Sequence, residues 1–181
     1  MRKRRGAKIA LAVGLLLGCF FITRRLLLPP VPAHRGDGSF QDISWFAGPF
    51  PIRGYSITMP EFNLSEPFQA EYHLASLTDI GTCGIYLAIR DRHWSSETKL
   101  LGGRLQLELL DSQGRIVVHV SGRMGEFIWS TSDQQAALYQ LDKSFFTPDA
   151  REEYRLRASY TPEPSLAGYK GFVYLRSGGS K

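Results

Sequence analysis

Few side chains in this sequence are of the kinds that do covalent or metal chemistry. There are two cysteines and four histidines in 181 residues. Cys83, in Thr82-Cys83-Gly84, has His73 and His93 each ten residues away. A nucleophilic thiol needs a base and a neighbour that lowers its pKa, so a Cys–His pair across neighbouring strands is one chemistry this spacing permits. The plainer reading is a small buried residue at a strand start, since no local signature accompanies the thiol. Asp91, Arg92, His93 and Trp94 form the densest polar cluster, with Ser95, Ser96 and Glu97 following, and within it Asp91, His93 and Glu97 are the residues a metal site would use. A zinc-class site needs three or four converging ligands. This cluster offers two or three with no second histidine nearby, so it reads as a solvated loop, and no metal or cofactor is expected. The other carboxylates are scattered, and no GxSxG, P-loop, GxGxxG or HExxH pattern occurs.

The aromatics are the stronger lead. Trp45, Trp94 and Trp129 fall in or beside expected loops, joined by Tyr86, Phe127 and Tyr139. Planar rings on a sheet surface stack on sugars or anchor a partner protein. The same rings also suit the edges of a sandwich. Phe127 and Trp129 are two apart, so one strand face carries both. The three tryptophans are the candidate binding residues, and His119 is read as a surface or partner-facing residue.

Period-two alternation dominates the elements that must position these groups. Phe68, Ala70, Tyr72 and Leu74 alternate with polar neighbours, as do Leu105, Leu107 and Leu109 and then Tyr154, Leu156, Ala158 and Tyr160. Ile85, Leu87 and Ile89 mark another strand, as do Ile116, Val118 and Val120. Phe172 and Tyr174 alternate with Val173 and Leu175. Weaker strands are expected near 53–59, 126–130 and 137–142. Asp111-Ser112-Gln113-Gly114 carries tight-hairpin chemistry, which places Ile116, Val118 and Val120 on the face of the three leucines. A short helix is expected at 147–153, where Thr147 is a capping type and Pro148 suits the first turn. The fold class is mainly β: an antiparallel sandwich of eight or nine strands, immunoglobulin-like or jelly-roll-like, after an N-terminal hydrophobic helix.

Charge separates that domain from its leader. Residues 1–25 carry seven basic groups and no acidic one, whereas the other 156 residues carry 15 of the 22 basic groups and all 17 acidic ones. A body that is slightly acidic lacks the basic face that phosphate binding requires, so no nucleic-acid partner is expected. Residues 9–22 are an uncharged apolar run behind a basic leader. The positive-inside rule leaves the leader in the cytoplasm and sends the body across the membrane. Three fates compete for 1–25. An uncleaved signal anchor is favoured by Arg24 and Arg25 directly after the run. Lipidation at Cys19 is suggested by Leu16-Leu17-Gly18-Cys19, which resembles a bacterial lipobox. Ordinary cleavage after Val31-Pro32-Ala33 ranks last. Residues 26–51 read as a Pro/Gly-rich linker that folds back onto the domain through its aromatic residues, and 52–181 as the sandwich.

The layout resembles a loose group of uncharacterised bacterial proteins in which a lipoprotein-like or anchored signal precedes one β-sandwich domain of unknown function. The features carrying the resemblance are Leu16-Leu17-Gly18-Cys19, the hairpin Leu109-Leu110-Asp111-Ser112-Gln113-Gly114, Tyr154-Arg155-Leu156-Arg157 and Leu175-Arg176-Ser177-Gly178-Gly179. Membership implies no known activity and no transferable site. The leading expectation is a non-catalytic extracytoplasmic module, tethered to the bacterial inner membrane and facing the periplasm or cell exterior, that binds an envelope protein or glycan. The alternative is a small cell-envelope hydrolase using Cys83 or the Asp91/His93 region.

Overall fold

The computed structural model describes residues 13–14, 31–47, 50–90, 102–132, 135–140, 143–163 and 168–178, with 45–47, 50–51, 129–132 and 135–138 described by their backbone. Fifteen strand segments fall among the described residues. They are β1 (Arg35–Gly36), β2 (Ser39–Asp42), β3 (Trp45–Ala47), β4 (Phe50–Ile52), β5 (Tyr55–Thr58), β6 (Phe62–Asn63), β7 (Phe68–Ala75) and β8 (Cys83–Arg90). Then come β9 (Arg104–Leu110), β10 (Ile116–Arg123), β11 (Ile128–Ser132), β12 (Gln135–Tyr139), β13 (Phe145–Phe146), β14 (Glu153–Thr161) and β15 (Lys170–Ser177). A five-stranded sheet runs β1-β7-β14-β9-β10. An eight-stranded sheet runs β11-β12-β8-β15-β5-β2, with β13 also on β8 and β6 also on β15. β3 and β4 form a separate hairpin, and the pairings are antiparallel throughout. The chain is mainly β, with two sheets in a sandwich-like arrangement.

Alternation decides which side chains lie between the sheets. Leu105, Leu107 and Leu109 of β9, Leu74 of β7 and Leu156, Ala158 and Tyr160 of β14 are buried. They join Ile57, Ile85, Leu87, Ile89, Val173 and Leu175 of the other sheet in one core cluster. Each leucine, isoleucine or valine among them contributes about 1.5–3 kcal/mol by leaving water. The opposite phase of β9 stays wet: Gln106 is exposed and Glu108 only partly covered. The 111–114 turn forms as its residues suggest. Asp111 Oδ1 accepts the amides of Gln113 and Arg115, both at 2.9 Å, and Oδ2 accepts Arg115 Nε at 2.7 Å. Gly114 closes the turn at φ +78°, a region that a side chain strains.

Four sequence expectations are corrected or sharpened. Ile116 is not on the core face; it is 58% exposed, as Val117 is at 41%. The register steps from Ile116↔Leu110 to Val118↔Leu109, so a β-bulge takes up one residue and breaks the alternation before Val118. The helix expected at 147–153 is absent. Asp149 Oδ1 accepts the amide of Arg151 at 2.9 Å and its carbonyl that of Glu152 at 3.1 Å, an Asx-type turn that competes with helix initiation. The strand count exceeds eight or nine because turns and prolines cut the chain into short pieces. Residues read as linker supply edge strands to both sheets: β1 pairs with β7 and β2 with β5. Val31 is buried, and its amide donates to Asp42 Oδ2 at 3.0 Å. Of the apolar run at 9–22, only Val13 and Gly14 are described, and both have helical backbone. Among the described residues no helix is long and apolar enough to cross a membrane.

Candidate functional site

The outer faces of the two sheets differ in character. An antiparallel sheet with one solvated side ordinarily presents polar residues there. The five-stranded sheet does so. Glu71 accepts Arg157 Nε at 2.6 Å, Glu108 accepts Gln106 Nε2 at 2.9 Å, and His119 Nδ1 lies 3.2 Å from Glu108. These side chains satisfy one another across neighbouring strands, and a shallow depression among them is lined by Gln69, Gln106 and Ser159. His119 is at the surface, as its place in the alternation suggested.

The eight-stranded sheet instead carries an aromatic layer on its outer side. Ala88, Phe172 and Tyr174 form a second buried cluster, separate from the core, with Tyr86 packed against it. Register explains the separation. Phe172 pairs with Ala88 and Tyr174 with Tyr86, one residue out of phase with the core pairs Val173–Leu87 and Leu175–Ile85. The Tyr86 ring stacks on Tyr174 at 5.0 Å and 17°. Tyr139 and Phe145 meet it at 5.7 Å and 67° and at 6.1 Å and 85°, and they meet each other at 6.0 Å and 78°. Each such pair contributes about 0.5–1.5 kcal/mol beyond area burial. Tyr86 reaches this position by leaning over Gly84, two residues back on the same face. A Cβ on Gly84 would meet the Tyr86 hydroxyl and stand 2.6 Å from Cε2.

Cations border the layer. The Arg90 guanidinium lies 5.3 Å from the Phe172 ring centroid, within cation–π range. Arg90 and Lys170 both pair with Glu61. Arg176, opposite Gly84 in the ladder, is exposed. Burial pushes the Tyr86 phenol above its ordinary value and that of Tyr174 up to about 12, although the Arg176 charge pulls both the other way. Both hydroxyls are therefore protonated and able to donate at neutral pH. Tyr86, Tyr139 and Phe145 are half-buried, and Ile128, opposite Tyr139 at the sheet edge, is 37% exposed. The accessible end of the layer is this one.

No family model matches this chain, and no curated protein matches it. A solved structure of an arabinose-bound GH51 α-L-arabinofuranosidase is similar over 83% of this chain and 24% of its own length, at 14% identity and a TM-score of 0.25. A likeness at that score carries no argument about function.

The residues singled out in the sequence fall in different places. Trp129 lies in β11 with its backbone opposite Leu138, and Trp45 in β3 opposite Ile52. Trp94 and Cys19 lie outside the described residues, as do Asp91, His93 and Glu97. Phe127 is buried in the main core and so leaves the group of surface aromatics. Cys83 is fully buried on the inner side of β8, and burial pushes its thiol up to about 12. His73 is exposed on the other sheet, so the two do not meet, and no thiolate is available from Cys83 at neutral pH. Among the described residues no three His, Cys, Asp or Glu side chains converge as metal ligands would.

Tyr86 and Tyr139 were among the aromatics singled out. Phe145, Phe172 and Tyr174 were not, and neither was Gly84. Their signal is the unbroken apolar stretch in β8 and β15, which marks strands buried on both faces, and the pairing of a glycine with an aromatic two residues on.

Proposed function

We propose that this chain is a non-catalytic extracytoplasmic binding module, tethered to the bacterial inner membrane by residues 1–25, whose aromatic outer face docks an envelope protein or glycan. The observation that carries the reading is the layer of Tyr86, Tyr139, Phe145, Phe172 and Tyr174 on a sheet face that ordinarily would be polar. Placement outside the cytoplasm rests on the basic leader before residues 9–22. The finer fold assignment, immunoglobulin-like or jelly-roll-like, belongs to the same reading. Repeated passage of the chain between the two sheets, as from β7 to β8 and back to β9, supports it.

The test is a photo-crosslinking amino acid placed at Ile128, beside Tyr139, and in a second strain at Gln106 on the opposite face. Exposed in intact cells, the Ile128 position should give a discrete adduct that Tyr139→Ser abolishes, while the Gln106 position gives none. Equal adducts from both positions, or none from Ile128, would remove the aromatic face as the docking surface. A reporter enzyme active only outside the cytoplasm, fused after Lys181, should be active; silence with normal expression would overturn the placement.

A further inference from the structure

The accessible end of the aromatic layer has a charge as well as a shape. Three strands meet at Gly84: Phe145 of β13 pairs with it on one side and Arg176 of β15 on the other. Because Gly84 has no side chain, the Tyr86 phenol lies over it, and its hydroxyl ends between the strand of Phe145 and that of Arg176. Tyr139 stands at the next position across the face, against both Tyr86 and Phe145. The result is a hydroxyl over Gly84 with two further rings against its own ring, and an exposed arginine at the paired position of the next strand.

Three ligand chemistries can be weighed against this arrangement. Three mutually steep rings about 6 Å apart suit an organic cation by cation–π attraction. The Arg176 charge, close enough to act on both Tyr86 and Tyr174, opposes one. A long peptide adds along a free strand edge through its main chain, and Arg176 lies two strands in from β13, the free edge nearest these rings among the described residues, so that mode leaves its charge unused. A ring-shaped anion with an apolar C–H face, as a sugar acid has, satisfies both features. Among the described charges on this face, the only carboxylate is Glu61, and it is taken up by Arg90 and Lys170. Among the described residues Arg176 makes no ion pair. A guanidinium with spare donors is the residue best matched to a carboxylate.

Resting on the docking face proposed above, we infer that this corner is a subsite for an acidic saccharide, a hexuronic acid unit of an envelope glycan. Arg176 holds the sugar carboxylate, Tyr86 Oη donates a second hydrogen bond to it, and the Tyr139 and Phe145 rings lie against the apolar face of the sugar. No bond is made or broken; the site recognises and releases.

The full chain in detergent is titrated calorimetrically with tri-galacturonate and with the neutral galactose trisaccharide. The acidic sugar should bind about tenfold more tightly or better, as expected when charge-assisted hydrogen bonds to a carboxylate distinguish two ligands, and raised salt should weaken it. Arg176→Gln should erase the difference between the sugars, Arg176→Lys should restore part of it, and Tyr86→Phe should weaken the acidic sugar about threefold with the stacked ring kept. Arg176 is exposed and outside the core, so these variants fold, and near-ultraviolet circular dichroism checks that they do. Equal binding of both sugars, unaltered by Arg176→Gln but lost in Tyr139→Ser, would overturn the acidic class and leave the aromatic face intact. Absence of binding by either sugar would overturn the saccharide assignment, with the docking face then decided by the Ile128 crosslink. Arg176-dependent binding to vesicles containing phosphatidylglycerol, with no sugar binding, would replace the saccharide by an anionic lipid surface and equally overturn the inference.

Discussion

Gly84→Ala is the substitution on which the description of the aromatic layer depends most directly. The added methyl would meet the Tyr86 hydroxyl and stand 2.6 Å from Cε2 and 2.7 Å from Cζ, closer than real contacts allow. Backbone strain is not the issue, since Gly84 is not among the glycines with positive φ. Something must move, and the ring is what meets the methyl. Tyr86 is held by Tyr174, Tyr139 and Phe145, so displacing it disturbs three ring pairs. At about 0.5–1.5 kcal/mol per pair, the loss is roughly 1.5–4.5 kcal/mol if all three are broken. Alanine in a strand recovers about 0.5–1 kcal/mol relative to glycine through chain entropy. The net destabilisation should therefore be about 0.5–4 kcal/mol, read as a lower urea midpoint with an altered near-ultraviolet tyrosine signal. Tyr86→Ala alone also breaks the pairs, but in that background Gly84→Ala meets no ring and should stabilise by about 0.5–1 kcal/mol. The double-mutant cycle should thus be strongly non-additive. If Gly84→Ala matched the parent in midpoint and spectrum, or if the two changes simply added, Tyr86 would not lie over Gly84, and the corner proposed for Arg176 would lose its geometry.

Leu107→Ala should cost about 2–5 kcal/mol, because Leu107 is buried between the sheets and leaves a cavity. Ile116→Ala should cost about 0.5 kcal/mol or less, because the bulge turns it to solvent, and matched urea titrations separate the two. In a Cys19→Ser background, Cys83 should resist a thiol-specific disulfide reagent at pH 8 and react on unfolding; rapid reaction of the native chain would restore Cys83 as a chemical candidate. For Asp111, desolvation works to raise the carboxyl pKa. The amide and guanidinium of Arg115 and the Gln113 amide outweigh it, so the folded-state pKa is lowered. A lowered folded pKa adds stability above the unfolded value of about 3.9, lost as pH falls through the folded value. Asp111→Asn should therefore lower the urea midpoint at pH 7, and its difference from the parent should shrink toward pH 2; a gap that persists at pH 2 would show the loss is not electrostatic.

The sequence made the inner layer legible and the outer one much less so. In β14, and in β9 up to Glu108, every second residue is polar, and period two alone marks Leu105, Leu107 and Leu109 and Tyr154, Leu156, Ala158 and Tyr160 as one face, which is buried. In β8 and β15 both phases are apolar, so alternation located the strands but could not say that Tyr86 and Tyr174 build a separate layer. Which rings meet is set by register between strands some ninety residues apart in sequence, as with Tyr86 and Tyr174, and no local pattern encodes that. The bulge at 116–118 was hidden for a related reason: Ile116, Val117 and Val118 are all apolar, so nothing marks where the phase slips. At 147–153 the capping residues were real signals, but Asp149 used its carboxylate on the Arg151 amide.

The separateness of the outer layer bears on what it is for. The main cluster between the sheets contains neither Ala88, Phe172, Tyr174 nor Tyr86, so the sandwich closes without them. A sheet face that only needed to be soluble would be served by polar residues, as the five-stranded sheet is by Glu71, Arg157, Gln106 and Glu108. At the half-buried Tyr86, Tyr139 and Phe145 the rings leave part of their apolar surface in water, and Gly84 sacrifices strand stability to seat one of them. Packing among the rings offsets part of that cost, but Tyr139 and Phe145 stay only half-buried and Ile128 beside them is exposed. That end also lies beside Arg176, exposed and unpaired among the described residues. Apolar ring surface is unfavourable to leave in water, whereas a solvated guanidinium is not, so on this reading the rings supply the drive to bind and Arg176 the selectivity for a ligand that joins an apolar ring face to a carboxylate.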